Sequence, residues 1–185
     1  MPGFSAFTSL PPDSSLNSTQ DDFLPPIPLW AWFLVGAIAV FTRFYKLTAL
    51  SVWPEYEEGL NGYMALELSH KWSGELFYSS SEIPRGYVWD LNLLFRILGS
   101  SLTTLWIFPA LVSLLAVPLS YWAARQFFSK SLSFFAVFLM ASSFWPSYLA
   151  RNSIPPNLIP LWGCFVLFTF GKFMNSSTPQ KKYGF

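Results

Sequence analysis

Glu55, Glu57 and Glu58 lie within four residues of one another in Trp53–Leu68, the most acidic stretch of a chain that is only 11% charged. Carboxylates at that density can take a proton from a hydroxyl nucleophile or hold a divalent cation. The same acids suit the first turn of a helix, where the positive end of the helix dipole favours negative charge, and Pro54 suits its first position. Both readings stand on local sequence. Few other side chains compete with them. His70 is the only histidine and Cys164 the only cysteine, which removes intrachain disulfides, zinc-type ligand sets and two-histidine metal motifs. Cys164 sits in an apolar run and reads as a small hydrophobe rather than a nucleophile. The net charge of +1, with basic residues scattered along the chain, gives no field for nucleic acid.

The elements that must position these residues are membrane elements. The 185 residues are 52% hydrophobic and 20% aromatic, whereas a soluble domain carries about a quarter charged residues. Residues 1–28 are rich in Ser, Pro and Thr and hold Asp13, Asp21 and Asp22 with no Lys or Arg, so they read as a mobile tail without the basic start of a signal peptide. Leu29–Phe44 is apolar, opens on Trp30 and Trp32, and is extended towards bilayer length by Arg43 and Lys46 snorkelling from its end; we take the first span as residues 29–46. Further spans are expected at 102–124, 131–149 and 157–173, separated by the short basic loop Arg125–Lys130 and by Arg151–Pro156. Pro109 and Pro118 in the second span are tolerated where neighbours re-satisfy the backbone. Residues 174–185 form a polar tail.

Between the first two spans, residues 47–101 form a loop with two helical patterns. One covers 54–72 and sets Leu60, Met64 and Leu68 on a single face, with Glu67 and Lys71 four apart. The other covers 86–98, with Val88, Leu91, Leu94, Phe95 and Leu98 on a broad apolar face broken by Asp90 and Arg96. It is too short to span and is expected to lie along the interface. Ser73–Arg85 between them reads as a loop able to cover a cleft. The fold class expected is therefore an all-α integral membrane protein of about four transmembrane helices, with an extracytoplasmic loop carrying two amphipathic interfacial helices. The positive-inside rule puts the Arg125–Lys130 loop, the C-terminal lysines and the N-terminus in the cytoplasm.

The order of motifs resembles a known family. The first span ends in Arg43-Phe-Tyr-Lys-Leu. The acidic pair then opens Glu57-Glu58-Gly-Leu-Asn61-Gly62-Tyr-Met-Ala-Leu. Leu98-Gly99-Ser-Ser precedes the second span, and Ala150-Arg151 closes the third. Over about residues 30–170 this resembles the N-terminal part of polytopic glycosyltransferases of the C-type (GT-C) fold, the dolichyl-phosphate-mannose–protein mannosyltransferase and aminoarabinose transferase relatives. The resemblance implies transfer of a sugar from a polyprenyl-phosphate carrier to a protein or lipid acceptor on the extracytoplasmic side. The family's Asp-Glu signature falls on Glu57 and Glu58, and its arginine after the third span falls on Arg151. Glu57 stands where Asp is usual, and Trp106 stands where an arginine is common. The family's enzymes have many more spans, so the chain looks like a front portion, completed by another membrane polypeptide or truncated.

On that resemblance Glu57 is the base that takes the acceptor's proton. Glu58 assists by binding a divalent cation, the one cofactor expected, or by holding Arg151. Arg151 pairs with the lipid phosphate, and Asn61 and His70 are further substrate contacts. The expected partners are the lipid-linked sugar donor and the bilayer. Each residue has a plainer role: Arg151 anchors a helix end among headgroups, and His70 is a polar residue of an interfacial helix. A rival from another class is a non-catalytic small membrane subunit packing against a larger complex through Gly36, Ala37, Ala39 and Ala123–Ala124. A decayed gene fragment is a third.

Overall fold

The computed structural model describes residues 26–50, 54–70 and 85–177. Residues 1–25 of the tail expected over 1–28, residues 73–84 of the loop expected over Ser73–Arg85 and most of the expected C-terminal tail lie outside the described residues, as does the side chain of His70. Every regular element among the described residues is helical. In chain order these are α1 (Leu29–Phe44), α2 (Leu47–Leu50), α3 (Tyr56–His70), α4 (Arg85–Leu98), α5 (Leu102–Ala124), α6 (Lys130–Ser142), α7 (Phe144–Leu149), a 3-10 turn (Pro155–Leu158) and α8 (Ile159–Ser177). Among the described residues three stretches are helical, long and apolar enough to cross a membrane: Leu29–Ala49, Leu102–Ala124 and Pro155–Ser176.

The third expected span, 131–149, is not one helix. It breaks at Ser143, whose backbone is extended (φ −65°, ψ 147°). Pro146, three residues on, has no N–H to give to the carbonyl of Ser142 and its ring crowds that carbonyl, so the helical ladder cannot run through. The thirteen residues of α6 reach about 20 Å, short of the ~30 Å of a hydrocarbon core.

Helix α5 is the axis of the fold. It touches α1, α2, α4, α6, α7 and α8. Its start is well defined: Gly99 ends α4 with φ +85°, a left-handed turn that glycine adopts without a Cβ penalty. Ser101 then caps α5, its Oγ accepting the Thr104 N–H at 3.1 Å. Two apolar clusters flank this axis. One joins Val35 and Ala39 of α1, Val117 of α5, and Val137 and Ala141 of α6. The other joins Ala65 of α3, Tyr87, Leu91 and Phe95 of α4, and Leu105 and Phe108 of α5. Small side chains (Ala39, Ala116, Ser133, Ala141) are fully buried where α1, α5 and α6 meet, which lets the helix backbones approach closely.

Helices α3 and α4 occupy the positions expected of them, with shifted starts and faces. Helix α3 begins at Tyr56 rather than Pro54 because Glu58 reaches back to the N–H of Glu55 (3.1 Å). That is one half of a capping box, and it makes Glu55 the capping position. The buried face of α3 is Glu58, Asn61 and Ala65, with Leu60, Met64 and Leu68 only partly covered. In α4 the buried face is Tyr87, Val88, Leu91, Asn92 and Phe95; Leu98 is exposed. The two helices are tied by Asn92, whose Nδ2 donates to the carbonyl of Ala65 at 2.7 Å.

Candidate functional site

The segment from Ala150 to Asn157, which joins α7 to α8, organises the candidate site. Ser153 at its centre is fully buried and is gripped from three sides. Its N–H donates to Glu58 Oε1. Its carbonyl accepts from Asn61 Nδ2 at 3.0 Å. Its hydroxyl meets the Tyr87 hydroxyl at 2.8 Å, and Asn157 Nδ2 donates to that Tyr87 oxygen at 3.2 Å. Glu58, Asn61, Tyr87, Ser153 and Asn157 are each at most 3% exposed, so this is a buried polar seam between α3, α4 and the connecting segment. Its hydrogen bonding is incomplete. Asn61 Oδ1 and Asn157 Oδ1 are buried and receive no donor among the described residues. A buried acceptor left without a donor costs about 1–3 kcal/mol.

The two members of the acidic pair have different environments. Glu58 is 3% exposed, with one carboxylate oxygen accepting from Ser153 and the other from Glu55. It caps its own helix and locks α3 to the connecting segment. Glu57, one residue earlier on the helix, faces outward. Adjacent residues on a helix point about 100° apart, so only one of the pair can enter the seam. Among the described residues no three His, Cys, Asp or Glu side chains come together, and a divalent cation at Glu58 would have to displace an N–H that its carboxylate already holds.

Arg151 is not held by Glu58. Its Nε and Nη2 donate to the carbonyl of Thr42 (3.3 and 3.2 Å), and Nη2 also donates to the carbonyl of Tyr45 at 2.7 Å. These carbonyls stand at the C-terminus of α1, where a cation offsets the helix dipole. The chain turns there through Lys46, which has a left-handed backbone (φ 49°). Arg151 Nη1 is buried without an acceptor among the described residues. Trp106, standing where the resemblance would put an arginine, is buried against Leu47 and Ala110, and its indole N–H also lacks an acceptor. Comparison with family models, with curated proteins and with solved structures gave no match.

Burial holds Tyr87 in its neutral form. It pushes the Tyr87 phenol well above its ordinary range. Hydrogen bonds from Ser153 and Asn157 oppose this and the nearby Glu58 charge adds to it, so Tyr87 is a neutral hydroxyl throughout the working range. Asp90, on the outer side of α4, is raised by partial desolvation alone.

Three residues of this region gave little warning in the sequence. Tyr87 and Asn92 look like interruptions of an apolar face. Ser153 has no signal except its place two residues after Arg151. Arg43, expected to snorkel, is instead fully buried, hydrogen-bonded to α5 and α6.

Proposed function

We propose that the chain is the front portion of a membrane glycosyltransferase that moves a sugar from a polyprenyl-phosphate carrier to a protein or lipid acceptor, with Glu57 as the base. One observation carries the reading. The acidic pair is divided between two tasks, Glu58 anchoring α3 to the segment that carries Arg151 while Glu57 stays open at the first turn of the same helix. A general base must be free to reach an acceptor hydroxyl and be held by a rigid support, and this arrangement supplies both. Arg151 fits the phosphate role because its Nη1 has no acceptor among the described residues, and a planar cation offsets the charge that grows on a departing lipid phosphate.

In this reading α1, α5, the broken pair α6–α7 and α8 make four crossings. Helices α3 and α4 lie along the extracytoplasmic interface, and the N-terminus is cytoplasmic. The Arg151 bonds to Thr42 and Tyr45 support this topology, since they bring the end of α7 to the end of α1, as two crossings in the same direction require. The outer side of α4 carries Trp89, Leu93 and Ile97, all exposed and spaced at helical intervals suited to headgroup level.

A second reading, a non-catalytic membrane subunit, is favoured by α8. Only 11% of its bilayer-length window is buried, and Trp162, Phe165 and Phe170 are exposed, as side chains that face lipid or the helices of a larger complex would be. One experiment separates the two. The chain is purified in mild detergent with whatever polypeptide accompanies it, reconstituted, and supplied with labelled polyprenyl-phosphate hexoses and pentoses. Transfer of label that is lost in Glu57→Gln, with the complex still assembled, supports the enzyme. No transfer from any donor, with Glu57→Gln assembling normally, supports the subunit and overturns the first reading. Chelator sensitivity in the same assay reports whether a divalent cation takes part.

A further inference from the structure

Among the described residues Arg43 is the largest fully buried side chain, and every hydrogen-bond partner of its guanidinium there is a neutral oxygen. Nε donates to Ser113 Oγ of α5 at 2.9 Å. Nη1 donates to the carbonyls of Ala39 (3.2 Å) and Ala141 (3.1 Å) and to Thr42 Oγ1 (3.1 Å). Nη2 donates to the carbonyl of Met140 at 3.0 Å. A buried cation is costly unless its surroundings are arranged for it, and the arrangement here has a specific origin in the broken span.

The Met140 and Ala141 carbonyls belong to the last turn of α6. In an unbroken helix they would accept the N–H groups of Phe144 and Trp145. The extended backbone at Ser143 removes that register, and both carbonyls lie where no solvent reaches Arg43. Thr42 Oγ1 also donates to Ala141 (3.2 Å). Ser113 Oγ, after accepting from Arg43, donates onward to the carbonyl of Pro146 in α7 at 3.2 Å. Arg43 therefore touches the strands of chain on both sides of the break, directly at α6 and through Ser113 at α7.

We propose that Arg43 is a positioning residue that makes the α6–α7 break possible. It supplies the donors that the interrupted helix lacks, and its charge is stabilised by the negative, C-terminal end of α6. By fixing the break it sets the course of α7 and of the Ala150–Asn157 segment, on which Arg151 and Ser153 depend. This inference concerns the architecture and is independent of the glycosyl-transfer reading.

Amide hydrogen exchange on the full chain in detergent tests it. Arg43→Met is expected to speed exchange of the amides between Phe144 and Ala150 by about tenfold or more, the scale of losing hydrogen bonds to a charged group. Pro146→Ala, added to Arg43→Met, restores an N–H at position 146 and lets the helix run through, so exchange at Phe144 and Trp145 falls back. General packing by Arg43 predicts no such rescue. Unchanged exchange in Arg43→Met, or no relief on adding Pro146→Ala, overturns the proposal. If Arg43→Met does not fold, Ser113→Ala is read in its place. A smaller acceleration confined to the same amides supports the proposal, and none overturns it.

Discussion

Two buried polar knots hold this protein, and they differ in how complete they are. The knot at Arg43 joins α1, α5 and α6 around a cation whose three nitrogens all have acceptors. The knot at Ser153 joins α3, α4 and the segment after α7 around a carboxylate, and it leaves Asn61 Oδ1 and Asn157 Oδ1 without donors. A closed network fixes geometry and does nothing more. An open one has amide oxygens that, among the described residues, could still accept from another polar group. On the proposed reading, the first knot sets the architecture and the second lies where the chemistry would take place.

That contrast can be broken or sharpened by substitution. The largest effect is expected from Arg43→Met, which strands the Met140 carbonyl and weakens the hold on Ala141; on the order of 3 kcal/mol of stability is lost, read from denaturation in detergent. Glu58→Ala comes next, because the N–H groups of Glu55 and Ser153 lose their acceptor together, for roughly 2 kcal/mol. Gly171→Ala should cost about 1–2 kcal/mol by a different route. A Cβ there would run into the Cβ and Cγ of Gln126, close to the backbone and unable to swing aside, so α8 would lift from the end of α5. Destabilisation by Gly171→Ala with the Glu58 contacts intact would show that α8 docks independently of the seam.

A smaller effect depends on pH. Burial raises the Tyr87 pKa in the folded state above its ordinary value of 10.0. The folded state then keeps a proton that the unfolded chain releases, so this contribution is fully present below pH 10 and is lost as pH climbs beyond it. Tyr87→Phe, which also removes the hydroxyl contact to Ser153, is expected to flatten that alkaline decline. A decline of equal steepness in the variant would assign it to other groups. Glu57→Gln should change stability least, within about 0.5 kcal/mol.

Much of the scaffold was legible in the sequence. Continuous apolar length marked α1 and α5, apolar spacing marked α4, and Pro54 with its glutamates marked the start of α3 to within two residues, though its buried face is Glu58, Asn61 and Ala65 rather than the expected leucines. What was not legible has physical reasons. Hydropathy over 131–149 is that of a span, and the break at Ser143 comes from Pro146 together with donors brought by Arg43, a hundred residues away in the chain. Arg43 beside Lys46 looks like an end-of-span cation, because nothing local shows that α6 will end against it. Glu57 and Glu58 are chemically alike, and only the tertiary contact with Ser153 decides which of them is buried. The amide oxygens of Asn61 and Asn157, orphaned among the described residues, depend on three separate segments meeting.

The division of labour between the two glutamates is the central claim, and one measurement reaches it directly: the unfolding midpoints of Glu57→Gln and Glu58→Gln, taken side by side in the same detergent. The account predicts a native midpoint for Glu57→Gln. It predicts a clear loss for Glu58→Gln, where an amide NH2 would replace one carboxylate oxygen that accepts a backbone N–H. Equal losses, or a greater loss for Glu57→Gln, would contradict it.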